Sequence, residues 1–372
     1  MKIAIVHDWF DTPGGAENVI KNLLEIYPDA TLYALVDFFS QEDRDKYLHG
    51  KKVNVSFIQK LPFAKTKFRN YLALFPIAIE QFDMQEYDIV ISSSHAVAKG
   101  VITTPRQLHI CYIYSPMRYA WDMYHTYIQE HNIKGLKALL IKKILHNIRI
   151  WDTSSSLRVD TFISISTLVK QRVSKYYRRD SHTIFPPVDT KKYFFDPSIS
   201  RQDYYITVSR LVPYKKVKLI VEAFNLNSLP LKVIGTGEEY EYLKTIAKSN
   251  IEILGYCEDS TVVRLMQSAK AFIYMAYEDF GIVPIEAMAC GTPVIAYGYG
   301  GIQDSVIDKK TGYFYKEQTT DALNDAIKNF EKIKFDHQYI SQYTTKFSIP
   351  RFKEELKTYI EQKYKESNLK IC

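Results

Sequence analysis

Cysteine is scarce in this 372-residue chain: Cys111, Cys257, Cys290 and Cys372 are scattered, with no Cys-x-x-Cys pair. That spacing argues against a disulfide framework and a cysteine-based zinc site, and fits free thiols in a reducing compartment. Long hydrophobic runs are missing as well, since no window approaches the roughly 18 uninterrupted apolar residues of a membrane span. The opening MKIAIVHD lacks the basic region, apolar core and small-residue cleavage site of a signal peptide. A cytoplasmic location is expected. No Walker loop occurs, and VIGTGEEYEYL (233–243) is only half a dinucleotide fingerprint: Tyr240 stands where a third glycine would follow Gly235 and Gly237. A dinucleotide-dependent oxidoreductase is therefore disfavoured. The one Asp-x-Asp, Asp43-Arg44-Asp45, sits in the charged stretch SQEDRDKYLHG and reads as solvated surface, so no metal site is predicted. Charge of one sign is in small excess, 49 Lys and Arg against 42 Asp and Glu. A formal +7 suits an anionic partner such as a nucleotide, a phosphate or an acidic membrane surface. It is too dispersed to predict nucleic-acid binding.

What is present is a globular composition, 46% hydrophobic and rich in aromatics, which excludes a disordered chain. The length allows two domains of ordinary size. Short apolar runs alternate with helical patterns throughout. KIAIVH (2–7), TLYALV (31–36), YDIVISSS (87–94), HICYIYS (109–115) and RVDTFISIS (158–166) read as buried strands. A second set comprises YYITVSR (204–210), LKVIG (231–235), IEILGY (251–256), AFIYMA (271–276) and TPVIAYG (292–298). Strands alternating with helices predict an α/β protein with parallel sheets covered on both faces. Two sets predict two doubly wound domains, joined through the proline-rich FPPVDTKKYFFDPSISRQ (185–202). The expected boundaries are residues 1–190 and 200–349, with ligands beyond the carboxyl ends of the strands, in a cleft where the two sheets face each other.

The densest chemistry lies in AFIYMAYEDFGIVPIEAMACGTPVIAYGYGG (271–301). A strand ends before Glu278, a glycine follows, and Pro284 suits a first helical position, placing Glu286 just inside a helix. Gly281 and the N–H groups of Ile282 and Val283 then form the helix's positive end, a site for phosphate. Each flanking carboxylate can accept hydrogen bonds from a pair of vicinal hydroxyls. Either acid alone reads rather as a solvated or dipole-complementing charge, and it is the full string that points to the ligand. In YYITVSRLVPYKKVKLIVEAF (204–224), Arg210 ends a strand and Lys215 follows a proline turn, positions suited to a departing diphosphate. Lys216 and Lys218 read as a solvated helix start. Gly14-Gly15 after the first strand let backbone approach a phosphate, or simply make a turn. His95, ending SSSH (92–95), either contacts a reacting sugar or hydrogen-bonds its surroundings.

Taken in order, Gly14-Gly15, His95, Arg210 with Lys215, Gly235-x-Gly237 and Glu278-x7-Glu286 resemble the family-4 retaining glycosyltransferases of GT-B fold. The run CYIYSPMRYAWDMYHTY (111–127) is similar to a bacterial surface-polysaccharide branch that often uses mannose. The resemblance implies that Glu286 grips the nucleotide ribose. It also implies that Glu278 contacts the donor sugar, with the N–H groups of Phe280, Gly281, Ile282 and Val283 nearby. Arg210 and Lys215 would neutralise the diphosphate, Gly15 would approach it, and His95 would lie beside the sugar. It further implies that a C-terminal helix (350–372) packs back on the first domain. The expected activity is transfer of a hexose, with GDP-mannose or a UDP-sugar as donor and no cofactor. The expected acceptor is a glycan or a polyprenyl-diphosphate-linked glycan of O-antigen or capsule synthesis. A nucleotide-sugar epimerase and a non-catalytic nucleotide-sugar-binding protein are the rival readings.

IKGLKALLIKKILHNIRIW (133–151) predicts a helix with Leu136, Leu140, Ile144 and Ile148 on one side. Lys142, Lys143, His146 and Arg149 fall mostly on the other. Such a helix either lies in an anionic membrane interface, on the inner face of the plasma membrane, or packs in the core with a solvated basic face. The basic-apolar QKLPFAKTKFRNYLALFPIAI (59–79) belongs to the same question.

Overall fold

A computed structural model describes residues 1–130 and 135–371. The chain divides into two compact units, one of residues 1–186 with those from Phe352 onward, the other Pro187–Arg351. The first unit holds a seven-stranded parallel sheet in the order β3-β2-β1-β4-β5-β6-β7. Its strands are β1 Ile3–His7, β2 Thr31–Ala34, β3 Val53–Val55, β4 Ile89–Ser94, β5 Leu108–Ile113, β6 Thr161–Ser164 and β7 Ser181–Thr183. The second holds a six-stranded parallel sheet, β10-β9-β8-β11-β12-β13. Its strands are β8 Tyr205–Val208, β9 Leu231–Ile234, β10 Ile251–Gly255, β11 Ala271–Tyr274, β12 Val294–Tyr297 and β13 Gly312–Tyr315.

Every residue of β1, β4, β5 and β11 is buried. Helices cover both sheet faces, so these strands read as continuous apolar runs rather than alternation. Strands β3, β7 and β13 carry too little periodicity to announce themselves: VNV and SHT are three residues long, and GYFY opens on glycine. In both sheets the strand order reverses beside the first strand, between β1 and β4 and between β8 and β11. Connections diverge to opposite faces there and leave a crevice at the carboxyl ends.

The helix Ile349–Ile371 docks within the first unit from Phe352 onward. Phe352 meets the Tyr112 ring edge-on at 5.9 Å, Tyr359 stacks on His182 at 4.7 Å, and the Tyr359 and Thr161 hydroxyls are 2.8 Å apart.

The helix Gly135–Ser156 corrects the predicted face; residues 133 and 134 of that segment lie outside the described residues. Its buried side comprises Ala138, Leu145, Ile148 and Asp152, with Ile141 and Ile144 packed alongside. Leu136 and Leu140 are instead 85% and 60% exposed, next to Leu139 and the exposed Lys137, Lys142 and Lys143. Arg149 turns inward to donate to the Ala120 carbonyl at 3.0 Å. A buried acid sets this rotation. The Asp152 carboxylate pairs with the buried Lys99 ammonium and accepts from Trp121 Nε1 at 2.7 Å and from the Tyr177 hydroxyl at 2.8 Å. Hydropathy spacing would have put Asp152 outside. Among the described residues no helix is long and apolar enough to cross a membrane.

Candidate functional site

In the second unit, β8 ends at Val208 and β11 at Tyr274, so the loops that follow share the crevice. Ser209 and Leu211 donate to the carbonyls of Ile234 and Thr236 at 3.0 and 2.9 Å. That lays the Arg210 loop across Gly235 and Gly237. A side chain on either glycine would collide with the carbonyls of Ser209 or Leu211, and both have positive φ, 137° and 155°. Gly235 lines a cavity of about 350 Å³ with Arg210, Val283 and Glu286. Gly237 does not, and its place is explained by the passage of Leu211.

The helix Ile282–Ala289 begins two residues before the expected Pro284. Gly281, at φ 92°, already turns the chain into it, and a side chain there would crowd the Tyr274 hydroxyl at 2.9 Å. Pro284 falls in the first turn, whose N–H groups have no intrahelical acceptor in any case. Ile282 and Val283 open the helix. Phe280 is buried, its ring 5.9 Å from that of Phe347, and anchors the loop from below.

The two glutamates do different things. Glu286 is half-buried, and burial lifts its carboxyl to about 7, with Lys192 opposing the shift and Asp259 and Asp189 adding to it. Glu278 accepts from both the Lys215 ammonium and the Tyr274 hydroxyl. Lys215 is therefore already neutralised, whereas Arg210 is exposed and makes no ion pair among the described residues. The Glu278 loop is pinned from outside by Gly301, whose N–H donates to the Glu278 carbonyl at 2.8 Å. Tyr274 and Gly301 carry no signal that marks them in advance; the YGYGG context of Gly301 reads as an ordinary turn.

In the first unit, β1 and β4 end beside each other at His7 and Ser94. Gly14 caps the helix Gly15–Ile26 in an extended conformation, and Gly15 is its first residue. The first turn also carries the buried Glu17, whose carboxylate lies 3.4 Å from His7 Nε2. An acid thus shares the end at which Gly14-Gly15 was expected to meet phosphate. His7 Nδ1 lies 3.1 Å from both the Ser93 carbonyl and its hydroxyl, so this fully buried ring has acceptors on both edges. His95 is one-third exposed, with Nδ1 3.0 Å from the fully buried Asp8 carboxylate. Asp8 and Glu17 were not singled out in the sequence. Asp8 directly follows an apolar strand, a position shared by many loop acids.

Asp43 and Asp45 lie on the helix Gln41–Leu48, where they take hydrogen bonds from Ser40 and Gln41 at 2.8 Å. Among the described residues no group of three or more His, Cys, Asp or Glu could hold a metal ion. Cys111 and Cys290 are buried thiols and Cys257 a partly exposed one.

The family profile described as "Glycosyl transferases group 1" matches residues 189–347. An uncharacterized glycosyltransferase of Methanocaldococcus jannaschii is 25% identical over 52% of this chain and 56% of its own length. A GDP-mannose-dependent alpha-(1-6)-phosphatidylinositol monomannoside mannosyltransferase of Mycolicibacterium smegmatis is 28% identical over 38% of this chain and 44% of its own length. The chain thus spans about half the length of these relatives. Among solved structures, Anabaena Alr3699/HepE in complex with UDP superimposes over 97% of this chain and all of that one, with a TM-score of 0.70 and 17% identity. The likeness covers both units and shows the GT-B fold. Residues 189–347 thus carry a group 1 glycosyltransferase domain, on a chain whose fold is GT-B.

Proposed function

We propose that this chain transfers a hexose, with retention at the anomeric carbon, from a nucleoside diphosphate sugar to a glycan or polyprenyl-diphosphate-linked acceptor in bacterial surface-polysaccharide synthesis. The observation that carries the reading is the meeting of Arg210, Gly235, Val283 and Glu286 in one cavity at the β8–β11 crevice. In this reading Glu286 accepts from the ribose hydroxyls, and the diphosphate lies against Arg210 and the amino end of the Ile282–Ala289 helix. The arriving diphosphate draws Lys215 away from Glu278, which leaves Glu278 for the sugar hydroxyls. The bond between the anomeric carbon and the leaving oxygen breaks as the acceptor oxygen bonds to that carbon. The acceptor proton passes to the departing diphosphate, whose growing charge Arg210 and Lys215 offset without a metal. His95, in the first unit, serves the sugar during transfer. GDP-mannose is our first choice of donor, supported by the mannosyltransferase relative, while the UDP held by the Anabaena protein supports a UDP-hexose.

A thermal-shift panel of nucleoside diphosphates and their sugars tests this. One base class should raise the melting temperature, since a ligand at a hundred times its Kd stabilises by about 2.7 kcal/mol. No shift with any nucleotide would overturn the reading. Epimerised donor formed without acceptor would favour the epimerase.

We further place the enzyme at the inner face of the plasma membrane, in contact through the outer side of the Gly135–Ser156 helix. The support is its exposed mixture of Leu136, Leu139 and Leu140 with Lys137, Lys142 and Lys143. Changing the three lysines to glutamate should abolish flotation with anionic liposomes while leaving nucleotide affinity unchanged. Equal flotation of this variant and the wild type would remove the assignment.

A further inference from the structure

The carboxylate of Asp8 is spent in an unusual way. It is fully buried, and it accepts hydrogen bonds from four consecutive backbone N–H groups. Oδ2 takes those of His95 and Ala96 at 2.6 and 3.0 Å, and Oδ1 those of Val97 and Ala98 at 2.6 and 2.7 Å. Oδ2 also lies 3.0 Å from His95 Nδ1. The loop after β4 is thereby wrapped around the residue that follows β1, at the point where the sheet order reverses. An ionised carboxylate only accepts, so the proton of a neutral His95 must be on Nδ1 and its Nε2 must carry a lone pair. The His95 side chain is one-third exposed, while its Nδ1 partner is fully buried. Trp9 fixes the ring plane, meeting it edge-on at 4.5 Å and 89°.

We propose that Asp8 is a positioning residue for sugar transfer: it holds the 95–98 loop in place and fixes His95 in the Nδ1–H tautomer, so that Nε2 accepts a hydrogen bond from a sugar hydroxyl. This rests on the transferase reading above, with His95 serving the sugar.

The electrostatics agree with that arrangement. Burial pushes the His95 imidazole below its usual range; Asp8 and Glu17 pull it back up, while His7 and Arg69 push it further down. The ring is therefore neutral at neutral pH. Burial alone would raise Asp8, but the imidazoles of His95 and His7 and the N–H groups outweigh it and keep the carboxylate ionised. Glu17, paired with His7, is the other acid of the cluster. A substrate hydroxyl here meets an acceptor, not a cation.

The test has two arms. Long-range ¹H–¹⁵N spectra of histidine-labelled protein, with His95 assigned through His95→Gln, should show the Nδ1–H tautomer in the wild type and its loss in Asp8→Asn. In transfer assays, Asp8→Asn should lower kcat on the order of a hundredfold, the scale of a lost proton-orienting group, with nucleotide affinity unchanged. His95→Asn keeps a donor toward Asp8 but has no atom in the Nε2 place, and should lose turnover to the same extent. If Asp8→Asn does not fold, the wild-type spectrum and His95→Asn decide. An Nε2–H or cationic His95 in the wild type would overturn the proposal, as would full turnover in His95→Asn. A wild type that binds nucleotide but transfers no sugar, with the Nδ1–H tautomer present, would overturn the transferase reading and leave the Asp8–His95 geometry standing.

Discussion

Replacing Arg210 by alanine should lower the transfer rate by about two to three orders of magnitude, the usual cost of removing a group that stabilises charge developing in the transition state. The size follows from how charge is distributed at the β8–β11 crevice. Lys215 is paired with Glu278, so it must exchange partners before it can serve a diphosphate. Arg210 is exposed, has no carboxylate in ion-pairing range among the described residues, and lines the same cavity as Glu286. Its charge is available without reorganisation. Nucleotide affinity should fall much less than kcat, because the charge matters most as the bond to the sugar breaks. Arg210→Lys should recover part of the rate, since the charge returns but the forked, two-point contact with phosphate does not. Lys216→Ala is the control and should change nothing. Steady-state kinetics and nucleotide titration on the three variants check this; wild-type kcat in Arg210→Ala would show that the diphosphate lies elsewhere.

Glu286→Gln should lose nucleotide affinity and yet gain thermal stability, with both effects tied to pH. The folded carboxyl titrates at about 7 against an ordinary 4.5, so the folded state holds a proton that the unfolded state has released. Its contribution to stability is fully present below about pH 4.5 and is lost as pH rises through about 7. Glutamine has no such loss. The melting temperature of Glu286→Gln should therefore exceed that of the wild type most clearly above neutrality, and the gap should close in acid. Binding runs the other way, because in the proposed site two ribose hydroxyls need an acceptor. Wild-type affinity should rise as pH climbs through about 7, and that rise should be absent in the glutamine variant. A carboxylate kept at a cost to folding for the sake of a ligand is a familiar trade of stability against function. Melting curves and nucleotide titrations from acid to mildly alkaline pH supply the measurement. A pH-independent difference in melting temperature would show that Glu286 is not held above its ordinary range.

The candidate site residues differed in how readily the sequence revealed them, and the reason is range. Glu278, Gly281 and Glu286 stand within nine positions of one another, so strand end, turn and helix start can be read from local pattern alone. Even there the helix began earlier than proline chemistry suggested, because a left-handed glycine turned the chain first. The partners of these residues were out of reach. Glu278 meets Lys215 across 63 positions, and Asp8 meets the 95–98 loop across more than 85. Neither pairing leaves a periodic trace. The Gly135–Ser156 helix shows the same limit on a smaller scale: two overlapping apolar stripes both satisfy helical spacing, and the Lys99–Asp152 pair chose between them.

By itself, the sequence determined the alternation of buried strands and helices, hence two parallel doubly wound units, and the order of residue types along each crevice loop. Periodicity and turn chemistry act over a few residues and survive in the linear text. The tertiary structure decided which charges are spent and which remain: Lys215 on Glu278, Asp8 on His95, Glu286 lifted by burial and Arg210 left over. Those outcomes depend on which strands become neighbours at the reversal of sheet order, and so on which loops share a crevice. That neighbourhood arises only when the whole sheet is assembled.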